Sequence, residues 1–434
     1  MKFKWMTVVL VLMLVLSACA SSQKPSTSQN GATQGTDSSG GSKEQSITVV
    51  ARSGTYYNTL STLAPKFEQE TGIRVNVQEV GRDGYLQRVS TQLIGRGDGM
   101  DVVLLLNNYI GQFAAGGQLE SLDSYMEQYN RSMDHFLPVA ADAVKYNNQV
   151  YAMPLDVSTM FLVYRTDLID TPPTTWEEYR EVAKRFTQSI NPDSPTEFGT
   201  TFQGKRGETQ PKEWYQYFWA MGGELFDADL KPQLHSQSGI DALQYVVDNF
   251  STLNIVPPDI TTYEFPEVLS AFQNGKVAMA IEWNSAYPTF ADPEKSPEVY
   301  DKFAIAEVPG GKSYMQTWTL AVNSASKNKD AAFQFISWVT NEAAKDYALA
   351  GGIPAVKSVL EDPEVVKVRP EFPKIVETLG KAQSEPNLPE WPLIHEFITD
   401  AITEALVGEK TTEAALEEAD KNIANLLETR GYYN

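Results

Sequence analysis

The sequence contains one cysteine and only three histidines among 434 residues. An intrachain disulfide and a metal site built from several cysteines are therefore excluded. The histidines are far apart and form no HExxH motif, which argues against a zinc hydrolase. The chain also lacks GxGxxG and GxxxxGK[ST] segments, which argues against nucleotide chemistry. We expect neither a metal nor a cofactor.

Basic residues are scarce as well. Lysine and arginine number 35 against 56 aspartates and glutamates, a formal net charge of −21. Because a nucleic-acid-binding protein needs a basic surface for phosphates, no nucleic-acid partner is expected. What is present is 42% hydrophobic residues, enough for a packed core. The length fits two or three domains, or one two-lobed body.

The only long apolar run lies at the N-terminus. Lys2 and Lys4 precede nine consecutive apolar residues, 8–16. This run is too short to span a bilayer, which takes roughly 20 residues, but it has the length of a signal-peptide core. We therefore expect residues 1–18 to be a signal peptide.

The cysteine stands directly after this run, in Leu16-Ser17-Ala18-Cys19. The segment resembles the lipobox of bacterial lipoproteins, which implies that Cys19 is lipidated and anchors the protein on the extracytoplasmic face of the cell membrane. The alternative is an ordinary cleaved signal with an incidental cysteine. Residues 19–46 contain no aromatic or large aliphatic side chain after the cysteine, so we expect a flexible tether with a reach of roughly 30 Å.

The rest of the chain alternates between strand and helix patterns. Residues 47–51 form a short apolar strand pattern, 59–70 a helix, 73–77 an alternating strand, 85–94 a helix and 101–106 a fully apolar strand. This βαβαβ start predicts a parallel α/β structure. Further buried strands are predicted at 157–164, 277–281 and 318–323, and further helices at 214–220, 240–250, 330–340, 399–407 and 412–427.

Four separated stretches together indicate a family. They are Thr71-Gly72-Ile73-Arg74-Val75; Tyr151-Ala152-Met153-Pro154 with Tyr164-Arg165-Thr166-Asp167-Leu168 and Pro173-Thr174-Thr175-Trp176; Phe272-Gln273-Asn274-Gly275-Lys276-Val277-Ala278-Met279; and Leu320-Ala321-Val322-Asn323 with Gly352-Ile353-Pro354. In this order they resemble the extracellular solute-binding protein family 1, the carbohydrate-binding receptors of ABC importers that include the maltose-binding protein.

The resemblance implies an α/β fold of two parallel-sheet lobes, joined by hinge strands, with a ligand cleft between them. Lobe one is placed at 47–156 plus 312–362, and lobe two at 157–311 plus 363–434. Hinge closure around a sugar or oligosaccharide would present the complex to an ABC permease. A monomer is expected.

A sugar has apolar faces and a rim of hydroxyls, so its site needs aromatic faces and planar polar groups. Among the aromatic residues, Trp283 follows the glycine motif at 275–281, and Trp318 begins the strand that leads back to lobe one. Trp214 and Tyr217 are one helical turn apart and can share a face, and Trp391 lies in a late segment that reaches the cleft in some family members. For each the alternative is a place in the core.

Polar candidates follow the ends of predicted strands, where ligands collect in parallel α/β sheets. They are Glu282 beside Trp283, Asp156 at the crossing between lobes, Asn107 and Asn108 after the strand at 101–106, and Ser53 and Tyr56 after the first strand. The alternative role for these side chains is turn capping. Trp176, in the first turn of a helix that Thr175 and Glu178 can cap, is expected to pack in the core.

Three other functions stay open on the sequence. A receptor for a polyamine, amino acid or phosphorylated compound would use the same fold with other polar groups. A lipid-anchored glycoside hydrolase needs two positioned carboxylates, and 56 acidic residues make candidate pairs unavoidable. An adhesin or sensor partner would use the fold without transport.

Overall fold

The computed structural model describes residues 45–433. The predicted signal peptide, Cys19 and the tether up to residue 44 lie outside the described residues. Between residues 45 and 433, no helix is both long enough and apolar enough to cross a membrane.

The strands of the described chain form one large mixed sheet and one small hairpin. The strands are β1 (Ser46–Arg52), β2 (Arg74–Val80), β3 (Val102–Leu106), β4 (Lys145–Tyr146), β5 (Gln149–Val150), β6 (Ala152–Arg165), β7 (Met279–Trp283), β8 (Phe303–Ala306) and β9 (Met315–Val322). The large sheet has the order β2-β1-β3-β9-β6-β7, with β8 also paired to β6, while β4 and β5 pair with each other.

Parallel pairing is confined to the start of the chain. β1 pairs in parallel with β2 and β3, whereas β9 is antiparallel to both β3 and β6, and β7 and β8 are antiparallel to β6. The predicted βαβαβ start is confirmed.

The helices surround this sheet. They are α1 (Thr55–Thr71), α2 (Tyr85–Ile94), α3 (Ile110–Ala115), α4 (Asp123–Gln128), α5 (Pro138–Asp142), α6 (Trp176–Arg185), α7 (Gln210–Ala220), α8 (Gln237–Val247), α9 (Phe265–Gln273), α10 (Tyr287–Phe290), α11 (Lys329–Thr340), α12 (Ala344–Leu349), α13 (Lys357–Leu360), α14 (Pro363–Val368), α15 (Phe372–Leu379), α16 (Trp391–Leu406) and α17 (Thr412–Thr429). The predicted capping box of α6 is present: Thr175 accepts from the Glu178 amide, and Glu178 accepts from the Thr175 amide.

Two main apolar cores lie along the sheet. The first contains the side chains of β1 and β3 with α1 and α11, and the second contains α7, α8, α16 and α17. β6 passes from one to the other, since Val157 belongs to the first core and Met160 to the second. One continuous strand of 14 residues therefore connects the two halves of the molecule.

The predicted lobe boundaries, at 47–156 plus 312–362 and 157–311 plus 363–434, stay a prediction. Helices α14 and α15, for which the sequence suggested no element, contribute Val365, Phe372 and Leu379 to the first core. The helix predicted at 399–407 begins earlier, at Trp391, because the apolar side chains that precede residue 399 also pack in the second core.

Candidate ligand-binding site

Three adjoining cavities, of about 260, 60 and 400 Å³, lie between residues of the first and second cores. We call the side formed by Arg52, Ser53, Tyr56, Arg82 and Trp318 the first wall. We call the side formed by Glu208, Glu264, Phe265, Trp283 and Ser285 the second wall. Together the cavities form a cleft of the size that small-molecule sites have, roughly 300–1,000 Å³.

The first wall is built at the carboxyl ends of two neighbouring parallel strands. Arg52 is the last residue of β1 and lies opposite Val80, the last residue of β2. The Ser53 amide donates to the Val80 carbonyl at 2.8 Å, which holds the two strand ends together. The chain beyond each strand therefore opens into the same cleft, as ligand sites in parallel sheets commonly do.

Aromatic rings and an arginine stack on one another in this wall. The Tyr56 and Trp318 ring centroids are 5.1 Å apart, and the Arg52 guanidinium lies 4.4 Å from the Trp318 centroid and 5.1 Å from that of Tyr56. Trp318 is 3% exposed, so a narrow part of its surface faces the cavities. Burial raises the pKa of Tyr56, so its hydroxyl stays protonated and can donate.

The second wall combines a tryptophan with a buried ion pair. Trp283 is 5% exposed and meets Tyr314 edge to face at 5.8 Å. Behind it lies Lys212, fully buried, whose ammonium group donates to Glu208 and, at 2.6 Å, to Gln316. Burying an ammonium group is costly unless a carboxylate accompanies it, and Glu208 supplies that carboxylate.

Asp156 lines the cavity of about 400 Å³. Its carboxylate accepts from the Tyr347 hydroxyl at 3.0 Å and from the Ile353 amide at 2.7 Å. Burial raises the pKa of Asp156 to about 7, against the pull of these hydrogen bonds and of Arg52. The group therefore holds and releases a proton close to neutral pH.

The structure brings five of the residues predicted for the site to the cleft, namely Ser53, Tyr56, Asp156, Trp283 and Trp318. Three predicted aromatics lie in the second core instead. Trp214 stacks on Phe218 at 4.7 Å, Tyr217 packs against Trp176 at 4.2 Å, and Trp391 is completely buried. Helix α7 is buried on nearly all sides, so the shared face of Trp214 and Tyr217 has no cavity in front of it.

Three polar residues predicted for the site form hydrogen bonds with other residues of the protein instead. Asn107 accepts from the Thr317 amide at 2.8 Å, and Asn108 donates to Glu385 at 2.6 Å. Glu282 is fully buried, accepts from the Trp283 amide at 2.8 Å, and leaves its second oxygen without a partner. Burial raises the pKa of Glu282 well above its ordinary value.

Sequence reasoning missed the two arginines and most of the second wall. Arg52 and Arg82 end or closely follow β1 and β2, so the strand-end argument applied to Ser53 would also have identified them. Phe265, at the start of α9, and Glu208, just before α7, carried no comparable signal, because loops and helix starts from distant parts of the chain meet only in the fold. Among residues 45–433, no cluster of three or more histidine, cysteine or carboxylate side chains could hold a metal.

Comparison with known proteins identifies the fold and the family. The family model "Bacterial extracellular solute-binding protein" matches residues 51–346, more than half of the chain. A probable amino-acid ABC transporter periplasmic-binding protein of Sinorhizobium fredii is 26% identical over 412 residues, covering 89% of this chain and 90% of that protein. A maltotriose-binding protein of Pyrococcus abyssi is 26% identical over 348 residues, covering 76% of this chain and 71% of its own.

Two solved structures are similar over most of the chain. T. maritima MalE3 with bound maltose has a TM-score of 0.80 and 25% identity, covering 88% of this chain and 100% of that one. A solute-binding protein of Agrobacterium radiobacter in complex with ribitol has a TM-score of 0.78 and 26% identity, covering 88% and 98%. The predicted two-lobed α/β fold and the predicted family are thereby confirmed. The chain belongs to the family of bacterial extracellular solute-binding proteins.

Proposed function

We propose that this protein captures a sugar or sugar alcohol in the cleft between the first and second walls and delivers it to an ABC permease. Membership of the family implies an extracytoplasmic location and a binding role in ABC import. The observation that carries the ligand class is the pair Trp283 and Trp318, which contribute to the same cavity from opposite walls. Two indole faces with hydroxyl and guanidinium donors beside them suit a sugar ring, which is apolar on its faces and polar at its rim.

Relatives and solved structures with a named or bound ligand support this class but do not identify the solute. Maltotriose is named for the Pyrococcus protein, and maltose and ribitol are bound in the two similar structures. The Sinorhizobium relative is named for amino acids instead. An amino-acid receptor is therefore the second candidate function for this chain.

A polyamine ligand fits the cleft less well. A polyamine needs carboxylates that are free to meet its ammonium groups. Glu208 is paired with Lys212, and Glu264 lies 3.5 Å from the Lys205 ammonium. Two arginines in the first wall would also repel a polycation.

Closure of the two halves about β6 and β9 would bind the solute on both walls at once. β6 crosses from the first core to the second and β9 pairs with it over this stretch, so the two strands provide the continuous connection that a hinge requires. We propose that α14 and α15 move with the first half, because their apolar side chains pack in its core. A monomer suffices for this cycle, and the protein is proposed to catalyse no reaction.

A thermal-shift screen of the purified protein tests the proposal. The panel contains mono- and oligosaccharides, sugar alcohols, amino acids and polyamines. A ligand at about 100 times its Kd adds roughly 2.7 kcal/mol to the free energy of unfolding, which gives a readable shift. A shift with a sugar or sugar alcohol, without product on incubation, supports the proposal. A response only to amino acids or polyamines contradicts it, and turnover of a sugar would indicate a glycoside hydrolase.

We further propose that a lipid on Cys19 anchors the protein to the membrane through the tether. The support is the lipobox-like segment at 16–19. A single acyl chain holds weakly, on the order of 10⁴ M⁻¹, whereas two or more hold stably. Cys19→Ala should release the protein from the membrane fraction of its host. Normal membrane retention of this variant would contradict the anchor.

A further inference from the structure

Arg52 and Arg82 are the only described residues that line all three cavities of the cleft. Arg52 ends β1, and Arg82 follows β2 by two residues, so two adjacent strand ends place both guanidinium groups in one space. Arg52 stacks on Trp318, while the Arg82 guanidinium lies 5.2 Å from the ring centroid of Phe265 in the second wall. Both guanidinium groups therefore border the space that a bound solute would occupy.

Neither arginine has a carboxylate partner. Within residues 45–433, no aspartate or glutamate lies within ion-pair distance of Arg52 or Arg82, and the buried Arg52 Nε has no hydrogen-bond partner. Burial and the charge of Arg52 lower the pKa of Arg82, and the opposite effect of Glu264 and Glu208 does not fully offset them. Arg82 is exposed and Arg52 is half-buried, so both guanidinium groups are open to an anion that could supply the partner that no carboxylate of the protein provides.

The carboxylates that line the cleft form no ion pair with either arginine, although the charges of Glu264 and Glu208 act on Arg82. Glu208 accepts from Lys212, and Glu264 lies beside Lys205. Asp156 accepts two hydrogen bonds inside the protein, and burial raises its pKa to about 7. Asp83 is exposed at the rim of one cavity.

The third arginine of the cleft is compensated, in contrast to the first two. The Arg369 Nε lies 2.7 Å from Glu371, and its Nη1 donates to the backbone carbonyls of Ala348 and Gly352. Lys212, Lys205 and Arg369 therefore each have a carboxylate partner within the protein. Arg52 and Arg82 have no such partner among the described residues.

Two helix starts add to the positive potential beside these arginines. α1 and α2 begin after Gly54 and Gly84, have no side-chain cap, and carry no acidic residue in the first turn. Their first residues line the cavities. Because the free amides of a helix start carry a partial positive charge, both ends favour an anion in the cleft.

We propose that the solute is an acidic carbohydrate whose carboxylate or phosphate group is bound by Arg52 and Arg82. This inference rests on the proposed function and names the class of sugar within it. A planar guanidinium donates two parallel hydrogen bonds to either oxyanion, and two such groups match its charge and geometry together. The sugar ring then lies toward Trp283, on the opposite wall.

Calorimetric titration of the purified protein with matched ligands tests the inference. The pairs are galactose with galacturonate, and glucose with glucuronate and with glucose 6-phosphate. We expect at least one acid to bind about tenfold or more tightly than its neutral parent, with affinity falling as salt is added. The uronates and the phosphate ester distinguish the two sources of the anionic group.

Arginine variants complete the test. Arg82→Gln should weaken binding of the acid about tenfold more than binding of its neutral parent, whereas Arg88→Gln, which changes an exposed residue of α2 outside the cleft, should change neither affinity. Arg52→Gln is the second variant, and melting without ligand verifies that each variant folds. Equal loss for acid and neutral sugar, or tighter binding of the neutral parent, would overturn the inference and leave the proposed function intact. Silence toward every carbohydrate, with a response to amino acids, would instead overturn the proposed function.

Discussion

The two walls of the cleft differ in whether their cationic side chains have carboxylate partners. In the first wall, Arg52 and Arg82 face the cavities without a carboxylate partner. In the second wall, the buried Lys212 is matched by Glu208 and by Gln316. The first wall therefore has charge available for a ligand, whereas the second wall uses its charge for its own stability.

The difference follows from how each wall is built. The first wall is formed where parallel strands end, and the chain there opens toward solvent with free amides and long side chains. The second wall is formed by the end of β7, the start of α9 and the segment just before α7. Because α7 is buried on nearly all sides, the polar groups beside it must be satisfied within the protein. The comparison predicts that charge removal costs ligand affinity on the first wall and fold stability on the second.

The largest expected effect lies in the second wall. Glu208→Gln leaves the Lys212 ammonium buried without a carboxylate, so the free energy of unfolding should fall by about 2 kcal/mol, less than for a fully buried pair because Glu208 is partly exposed. Chemical denaturation measures this change. Glu264→Gln is the matched control, since its partner Lys205 is half exposed and the loss should stay below about 1 kcal/mol.

Arg82→Gln provides the contrast from the first wall. Without ligand this variant should unfold at the same temperature as the wild type or slightly above, because the substitution removes repulsion from Arg52. Destabilisation as large as that of Glu208→Gln would break the distinction between the walls.

A second prediction concerns the aromatic surface of the second wall. Trp283→Ala should weaken ligand binding at least about tenfold, which is about 1.4 kcal/mol, because the variant loses the ring that faces the cavity. Titration calorimetry with the ligand found in the screen measures it. Trp283→Phe and Trp391→Phe form a matched pair, and we expect only the former to change the affinity. Reduced affinity in Trp391→Phe alone would return Trp391 to the site.

A third prediction concerns Asp156, between the two walls. Its pKa is about 7 in the folded protein against 3.8 ordinarily, so the folded state keeps a proton that the unfolded chain has released. The stability that the protonated group contributes is full below about pH 4 and is lost as the pH rises to about 7. Asp156→Asn should therefore unfold at a less pH-dependent temperature across this range.

Melting curves of both proteins at a series of pH values provide the measurement. Some slope should persist in the variant, because burial also raises the pKa of Glu213, to about 8. Parallel curves for the wild type and Asp156→Asn would show that Asp156 does not hold the proton.

The smallest effect is expected behind the second wall, at the start of α6. Thr175→Ala removes the side chain that accepts from the Glu178 amide, so stability should fall by about 1 kcal/mol. Ligand affinity should stay within about twofold of the wild type, as calorimetry can check. A marked loss of affinity would show that α6 positions the second wall.

The sequence predicted local elements better than the places where distant segments meet. The limits of α2, the caps of α6 and the buried strand β3 follow from periodicity and side-chain chemistry close in sequence. The expectation that ligand-binding residues follow strand ends selected Ser53 and Tyr56, which line the cleft. The same expectation selected Asn107 and Asn108, which do not line it. Both lie at the end of β3, but their amides meet Thr317 and Glu385 from remote segments.

Aromatic residues show the same limit. Trp283 and Trp214 both lie in apolar sequence patterns. Trp283 lines a cavity, whereas Trp214 lies in the second core because α7 packs there, and the sequence does not distinguish the two. A sequence gives the helical face on which Trp214 and Tyr217 lie, but it does not show which neighbour covers that face. Charge pairing can be equally non-local, since the partner of Lys205 is Glu264, which lies far along the chain.

Hydrogen exchange with and without the ligand found in the screen tests most directly whether the two walls hold the solute. We predict that ligand slows exchange at the starts of α1 and α2, where free amides line the cavities, and in the segment that follows β7. Regions outside the cleft, such as the exposed end of α17, should be unchanged. Protection confined to residues outside the cleft, with none at either wall, would contradict the account.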